Sequence, residues 1–219
     1  MYKHALKEIK KSKLNTSPFP YLIVKNLIPS NELTKLNKLL PSFKDIDGDD
    51  ILFQSTSQTK KTVLPSSAIY KKLIKKNIFK KVDEMFKKLK PEIVKKFNSQ
   101  IKLHVKKKYQ KSKLNYHSSF SLMRKGYIKS SHLDRRDHLL HILYYPYSDS
   151  KNGGDLHIDK LKKHKKVYDV FPDKKNLITH KKYKVKNNSC LFTLNVPWAY
   201  HSVSKYKGNK DRKYFYVVY

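Results

Sequence analysis

The chain has 219 residues, of which 38% are hydrophobic and 12% aromatic, enough apolar material for one domain with a substantial core. No apolar run approaches the roughly 20 residues that a membrane-spanning helix requires, and we expect no signal peptide. The single cysteine, Cys190, excludes an intrachain disulfide framework and suits a reducing compartment. Composition therefore predicts a folded cytoplasmic protein without a membrane segment.

Fifty basic and 17 acidic residues give a net charge of +33, an excess typical of nucleic-acid-binding proteins. Only four of the basic residues are arginines, although arginine is the residue type that best reads bases and clamps phosphates. The lysines are also spread along the whole chain. This pattern favours a solvated lysine surface over a specific nucleic-acid interface, and it leaves open the steering of an anionic substrate or partner.

The first 110 residues are predicted to be mainly helical. Apolar residues recur at helical spacing, with Ser30 as a candidate N-cap and Pro41 as a stop signal. The predicted helices cover residues 3–13, 31–40 and 66–98, the last of which Pro91 is expected to divide. One strand, Tyr21–Val24, and a loop over residues 45–50 complete this part of the chain.

From residue 100 onward, short segments rich in β-branched and aromatic residues predict strands. The predicted strands are Ile101–Val105, Phe120–Met123, Leu139–Tyr145, Asp155–Ile158, Cys190–Leu194 and Arg212–Tyr219. Helices followed by strands and hairpin turns indicate an α+β fold containing a double-sheet jelly roll. Residues 160–187 are expected to form an irregular insertion over one open end of the β-sandwich. We expect one domain, with 1–110 as mainly helical support and 111–219 as the β-sandwich core.

One short motif points to metal chemistry. His132-Leu133-Asp134 places an imidazole and a carboxylate on the same face of an extended segment, which supplies two ligands of a 2-His-1-carboxylate triad for Fe(II). The third ligand must be a distant histidine, and His201 is placed for it between two predicted strands. His-x-Asp is short enough to occur by chance, and His157-Ile158-Asp159 is a second copy.

The order of motifs around His132 resembles that of the prolyl-4-hydroxylase-like branch of the iron(II)/2-oxoglutarate oxygenases. The motifs that carry this resemblance are, in order, Gly126-Tyr127-Ile128, His132-Leu133-Asp134, Leu139–Leu143 running into Tyr144-Tyr145-Pro146, Gly153-Gly154-Asp155-Leu156, Asn188–Phe192 and His201-Ser202-Val203. No single motif is specific, but the ordered set is. By this order His132, rather than His157, begins the metal motif.

The resemblance implies a double-stranded β-helix with N-terminal supporting helices. It further implies that His132, Asp134 and His201 hold Fe(II), with 2-oxoglutarate as the cosubstrate. The activity implied is hydroxylation of a substrate C–H bond, with conversion of 2-oxoglutarate to succinate and CO2. Substrate identity and oligomeric state stay open: a prolyl side chain, a free amino acid, a sugar and a small metabolite all fit.

In that family a basic residue on the last strand binds the far carboxylate of 2-oxoglutarate. Arg212 is the candidate here, and Lys213, on the other face of the strand, is the weaker one. Tyr145 resembles a family tyrosine that hydrogen-bonds the same carboxylate. Tyr214 shares the face of Arg212, where members more often carry a small polar residue. The alternative role for Arg212 is a structural ion pair with a carboxylate such as Asp155.

Two other functions remain open from the sequence. A non-enzymatic basic β-sandwich module could bind nucleic acid or another polyanion through its lysines and tyrosines. The second open function is a different metalloenzyme on the same fold, such as an isomerase or a halogenase. A halogenase normally lacks the carboxylate ligand, so Asp134 argues against it.

Overall fold

The structure, a computed structural model, describes residues 1–46, 58–110, 113–135, 137–163 and 167–219. The predicted loop over 45–50 therefore lies mostly outside the described residues. The helices are α1 Tyr2–Lys11, α2 Ser30–Leu39, α3 Ala68–Ile74, α4 Asn77–His104 and α5 Lys107–Gln110. Among the described helices, none combines the length and hydropathy that a membrane crossing requires.

Eleven strands are found in the described part of the chain. They are β1 Leu14–Asn15, β2 Tyr21–Val24, β3 Lys60–Val63, β4 His117–Met123, β5 Lys129–His132, β6 Leu140–Tyr147, β7 Leu156–Leu161, β8 Leu177–Tyr183, β9 Ser189–Leu194, β10 His201–Val203 and β11 Arg212–Val218. Seven strands form a major sheet in the order β1-β2-β9-β6-β11-β4-β3, and four form a minor sheet in the order β5-β10-β7-β8. The ladders are antiparallel, and the predicted α+β jelly-roll fold with supporting helices is confirmed.

The helices pack on one face of the major sheet, and the minor sheet faces the other. Strand alternation sorts the side chains of β11 between these two environments. Phe215 contacts Phe79 of α4, with ring centroids 5.1 Å apart. Tyr214, the preceding residue, instead contacts Tyr145 in the space between the sheets, at 5.7 Å. Arg212 shares the inward face of Tyr214, so the sequence pattern of this strand places its cation in the sandwich interior.

Three predictions about the helical region were wrong. Pro91 does not divide a helix, because α4 continues through it and the break lies before Asn77. Pro91 is exposed, so the backbone carbonyl that loses its amide partner lies on the solvent side. The predicted strand Ile101–Val105 is instead the last turn of α4, since Ile101 continues the buried helical stripe of Ile93 and Phe97. The α2 helix begins at Ser30 itself, without a side-chain cap.

The insertion predicted over residues 160–187 is also more regular than expected. Leu177–Tyr183 forms β8, which pairs with β7 at the edge of the minor sheet. Most of its residues are exposed on both faces, so the strand lacks the apolar alternation that predicts strands. Its lysines, Lys181 and Lys182, are typical of an edge strand that must not pair further.

Candidate metal centre

Three side chains predicted as metal ligands lie together at one end of the minor sheet. His132 closes β5 and His201 opens β10, and the two residues are direct partners across the ladder. Residues opposite one another point to the same face, which brings the imidazole centroids to 4.5 Å. Asp134 follows just beyond the end of β5. One ligand atom from each of the three residues lies within 4.8 Å of the others.

Backbone carbonyls fix the orientation of both imidazoles. His132 Nδ1 lies 2.9 Å from the carbonyl of Ser130, and His201 Nδ1 lies 3.1 Å from the carbonyl of Ala199. A carbonyl can only accept, so each Nδ1 carries the proton and donates. The lone pairs of both Nε2 atoms therefore remain available for a metal. These Nε2 atoms face the Asp134 carboxylate, at 3.8 Å from Oδ1 for His132 and 3.5 Å from Oδ2 for His201.

The electrostatics keep His132 and Asp134 in the protonation states that a metal requires. Burial, followed by the charge of His201, lowers the pKa of His132 to about 3, so this imidazole is neutral at pH 7. Burial alone would raise the pKa of Asp134, but the neighbouring imidazoles, His201 first, lower it below its usual value. Two imidazoles and one carboxylate on a single face are the donor set that suits Fe(II) with positions left open.

Arg212 is fully buried in the sandwich interior, with 0% exposure. Its Nη2 donates to the carbonyl of Gly153 at 2.9 Å, and its Nη1 donates to the carbonyl of Gly154. The ring of Tyr206 lies 4.7 Å and that of Tyr145 6.0 Å from the guanidinium carbon. The Nε atom has no partner among the described residues. Among the described residues, the hydrogen-bond partners of this cation are neutral carbonyls, and the charges of Asp155 and Asp149 act on it without an ion pair. A buried cation with an unpaired N–H is a site that an anion would satisfy.

The alternative roles considered for this strand are not observed. Asp155 forms no ion pair with Arg212: its buried Oδ1 has no hydrogen-bond partner among the described residues, although its charge acts on the guanidinium. Lys213 points out of the sandwich, and its Nζ donates to the carbonyl of Leu40 at 2.7 Å. The structural ion pair and the lysine anchor are therefore both unsupported.

The conformation and surroundings of Gly153 and Gly154 explain why glycines occupy the turn that faces Arg212. Both residues have positive φ, at 70° and 67°, a backbone region that glycine adopts without steric cost. A Cβ atom on Gly154 would lie 2.5 Å from Nη1 of Arg212. Only a residue without a side chain lets the guanidinium reach these carbonyls.

Tyr145 and Tyr214 line the interior beside Arg212. Tyr145 is 3% exposed and Tyr214 is 4% exposed. Burial raises the pKa of Tyr145, although the charge of Arg212 opposes the shift. Burial also raises the pKa of Tyr214, and the charge of Asp134 adds to that effect. Both phenols are therefore neutral hydrogen-bonding groups at pH 7.

The second His-x-Asp motif lies outside the metal cluster. Asp159 is buried, but its two oxygens accept hydrogen bonds from the hydroxyls of Thr179 at 3.1 Å and Ser202 at 2.7 Å. His157 is half-buried and pairs with Ser202 in the ladder between β7 and β10. The structural interpretation of this motif fits the geometry.

Two aromatic residues flanking His201 make packing contacts. Trp198 Nε1 donates to the carbonyl of Pro18 at 3.2 Å. Tyr200 donates to the carbonyl of Asp169 at 2.7 Å. These bonds tie the turn before β10 to the N-terminal segment and to the segment before β8.

Sequence reasoning missed one residue of this centre. His141, treated as an ordinary histidine, is buried, and its Nδ1 lies 3.3 Å from Asp134 Oδ2. The signal was present in strand alternation, because His141 and Tyr145 are four residues apart on β6 and so share a face. Choosing Tyr145 as an inward residue already implied that His141 points inward too.

Comparison with known proteins gives similarity in structure alone. No protein-family model matches the sequence, and no curated protein matches it. A Pseudomonas putida prolyl-4-hydroxylase is similar over 100% of this chain and 97% of its own, with a TM-score of 0.55 and 12% identity. A Trichoplax adhaerens prolyl hydroxylase, solved in complex with a hypoxia-inducible-factor peptide, is similar over 100% of this chain and 88% of its own. The TM-score is 0.52 and the sequence identity is 10%.

A third similar structure is HygX from Streptomyces hygroscopicus, which was solved with nickel and 2-oxoglutarate bound. The similarity extends over 90% of this chain and 81% of the HygX chain, with a TM-score of 0.51 and 11% identity. The resemblance seen in the sequence is thus confirmed at the level of the fold. The chain has the double-stranded β-helix fold of the prolyl-4-hydroxylases and the 2-oxoglutarate/iron(II) oxygenases.

Proposed function

We propose that this chain is an Fe(II)/2-oxoglutarate-dependent dioxygenase that hydroxylates a C–H bond of a small-molecule or peptidyl substrate. The balanced reaction consumes 2-oxoglutarate, O2 and the substrate, and yields succinate, CO2 and the hydroxylated substrate. The observation that carries the proposal is the occurrence, inside one sandwich, of a His-Asp-His cluster and a buried arginine that forms no ion pair with any described residue. Residues 111–219 would carry the site, within one domain over 1–219.

The roles of the residues follow from their contacts. His132, Asp134 and His201 would hold the metal, with both imidazoles already oriented by backbone carbonyls. Arg212 would bind the far carboxylate of 2-oxoglutarate, and Tyr145 would add a hydrogen bond from its neutral phenol. When bound, Fe(II) with 2-oxoglutarate and O2 supplies the oxidant for C–H hydroxylation. The buried walls around Arg212 exclude water, which strengthens the interaction between the guanidinium and a carboxylate.

The test is anaerobic binding of Fe(II) and 2-oxoglutarate to the full chain, followed by measurement of succinate when air is admitted without substrate. Binding of both, with slow succinate formation, is the expected result. A basic module that binds nucleic acid or another polyanion needs no metal triad, so a chain that binds neither metal nor 2-oxoglutarate would favour that alternative. The cytoplasmic location and the substrate stay predictions beyond this experiment.

Single substitutions assign the ligands. His132→Ala, Asp134→Ala and His201→Ala should each lower Fe(II) affinity by more than about 100-fold, beyond the loss typical of residues that only support a ligand. His157→Ala is the matched control and should bind Fe(II) as the wild type does. Loss of metal in the His157 variant with retention in the His132 variant would show that the wrong His-x-Asp motif was chosen.

A further inference from the structure

A fourth imidazole lies behind the carboxylate of the candidate metal centre. His141 belongs to β6 of the major sheet, is 3% exposed, and has its Nδ1 3.3 Å from Asp134 Oδ2. It is not among the three residues whose ligand atoms lie within 4.8 Å of one another. Its position is therefore next to a ligand rather than at the metal.

Tyr216 holds this imidazole from the neighbouring strand. The phenol oxygen lies 2.5 Å from His141 Nδ1, and the two rings are 5.7 Å apart. Tyr216 is part-buried on β11 and contacts His141 along the sandwich interior. The Asp134 carboxylate, the His141 imidazole and the Tyr216 hydroxyl thus form a continuous polar chain that runs from the metal centre into the major sheet.

The second nitrogen of His141 indicates that the residue does more than fill space. His141 Nε2 is buried and makes no hydrogen bond of good geometry among the described residues, although the backbone of Arg135 interacts with the imidazole. Burying a polar nitrogen without a partner destabilises a fold, and an aliphatic side chain of similar volume would avoid that cost. A histidine here is therefore best explained by what its other nitrogen contacts.

We propose that His141 is a positioning residue that orients the carboxylate ligand Asp134, an inference that rests on the proposed metal-dependent function. Asp134 Oδ2 lies near both His141 and His201, at 3.3 and 3.5 Å, so the carboxylate sits between polar groups from the two sheets. A nitrogen against one carboxylate oxygen restricts rotation of the group. Ligands held in place before the metal arrives bind it more tightly, because less conformational freedom is lost.

The experiment is Co(II) titration of the metal-free full chain, followed by calorimetry and by the visible absorption of the bound ion. His141→Leu keeps the side-chain bulk and removes both nitrogens, and it should lower Co(II) affinity about 10- to 100-fold, as is typical of residues that support a ligand. His141→Asn keeps a nitrogen near the place of Nδ1 and should recover most of the affinity. His141→Gln, whose nitrogen lies nearer the place of Nε2, should not.

Two controls separate positioning from stability. His157→Leu removes a half-buried histidine outside the centre and should leave Co(II) affinity unchanged. Tyr216→Phe should weaken binding by less than His141→Leu does, and should have no further effect in the His141→Leu background, because it acts through His141. Thermal unfolding of each metal-free variant shows whether it is folded.

The outcomes decide between the proposals. Wild-type affinity in a folded His141→Leu variant, or equal affinity in the Asn and Gln variants, would overturn the role of His141 while leaving the metal centre intact. If His141→Leu does not fold, the Asn and Gln pair alone decides the question. A wild-type chain that binds no Co(II) would overturn the proposed function together with this inference.

Discussion

At the scale of single residues, the candidate site depends on side chains whose partners are backbone groups. Ser130 and Ala199 offer their carbonyls to the two histidines, and Gly153 and Gly154 offer theirs to Arg212. Such partners depend on strand geometry and not on residue type. This explains why the sequence could indicate candidate residues but not how each is held.

If Arg212 is the anchor proposed above, its loss should selectively weaken cosubstrate binding. Arg212→Met removes a charge-assisted donor from a buried site, and it should weaken 2-oxoglutarate binding by about 2–5 kcal/mol. Metal affinity should stay near the wild-type value, because the guanidinium contacts none of the three ligands. Calorimetric titration with 2-oxoglutarate at saturating metal measures the effect. Lys213→Met is the control, and a loss of 2-oxoglutarate binding in that variant alone would refute the assignment.

The buried histidines predict that the metal-free protein becomes less stable in mild acid. Burial is the main cause that lowers the pKa of His132 to about 3 and that of His141 to about 4, against about 6.5 in the unfolded chain. Below pH 6.5 the unfolded chain therefore binds protons that the folded chain does not. Stability is fully present above pH 6.5 and falls by about 1.4 kcal/mol per pH unit for each imidazole as pH drops toward 4.

Urea unfolding of the metal-free chain between pH 8 and pH 5 measures this slope. A His141→Asn variant lacks one of the two groups and should show a shallower dependence on pH. A free energy of unfolding that does not change between pH 7 and pH 5 would contradict the prediction, since it would mean that both imidazoles protonate equally in the folded and unfolded chains.

At the scale of elements, the Gly153-Gly154 turn is predicted to position Arg212. Gly154→Ala combines a positive φ with a Cβ that would lie 2.5 Å from the guanidinium, so it should destabilise the fold and displace Arg212. Weakened 2-oxoglutarate binding at unchanged metal affinity is the expected result.

Gly126→Ala is the matched control for that turn. Gly126 also has positive φ, at 95°, but the one described atom that a Cβ there would meet within 4 Å is in the side chain of Thr59, at 3.2 Å. Both variants should lose stability in thermal unfolding, whereas only Gly154→Ala should need more 2-oxoglutarate. Equal 2-oxoglutarate affinity in the two variants would contradict the prediction that the Gly153-Gly154 turn positions Arg212 for 2-oxoglutarate.

The sequence predicted elements well where one face is buried and poorly where tertiary packing overrides local preference. β4, β6, β9 and β11 were found within a few residues because their side chains alternate or are continuously apolar. Ile101–Val105 was misassigned because β-branched residues favour strands locally, while the buried stripe of α4 holds them in a helix. β8 was missed because an exposed edge strand has no buried face to mark it.

The site was predictable to the same extent. The order of motifs brought His132, Asp134, His201 and Arg212 into consideration, and the structure places the first three together. The alternative ion pair between Asp155 and Arg212 is not formed. The sequence shows that the two residues carry opposite charges, but it does not show which way the turn directs the Asp155 carboxylate. His141 was passed over because no motif surrounds it, and only the pleat of β6 links it to the interior.

At the scale of the whole molecule, the charge of +33 predicts weak binding to nucleic acid without sequence preference. Lysines contact mainly phosphate, and such contacts weaken steeply as salt rises. Filter binding with several unrelated duplexes at about 150 mM salt should give similar, low affinities, as expected for phosphate contacts. Tight binding to one sequence at that salt would instead favour the polyanion-binding module over the oxygenase.

The position of β11 in the major sheet has a consequence for synthesis on the ribosome. β11 follows every other described strand in the sequence, yet it lies between β6 and β4 and pairs with both. A nascent chain that has not reached residue 212 therefore carries two unpaired strand edges at the centre of its largest sheet, which are ready templates for aggregation. Arg212 and Tyr216 belong to the same strand, so the chain can acquire its proposed cosubstrate anchor only after residue 218 has left the exit tunnel.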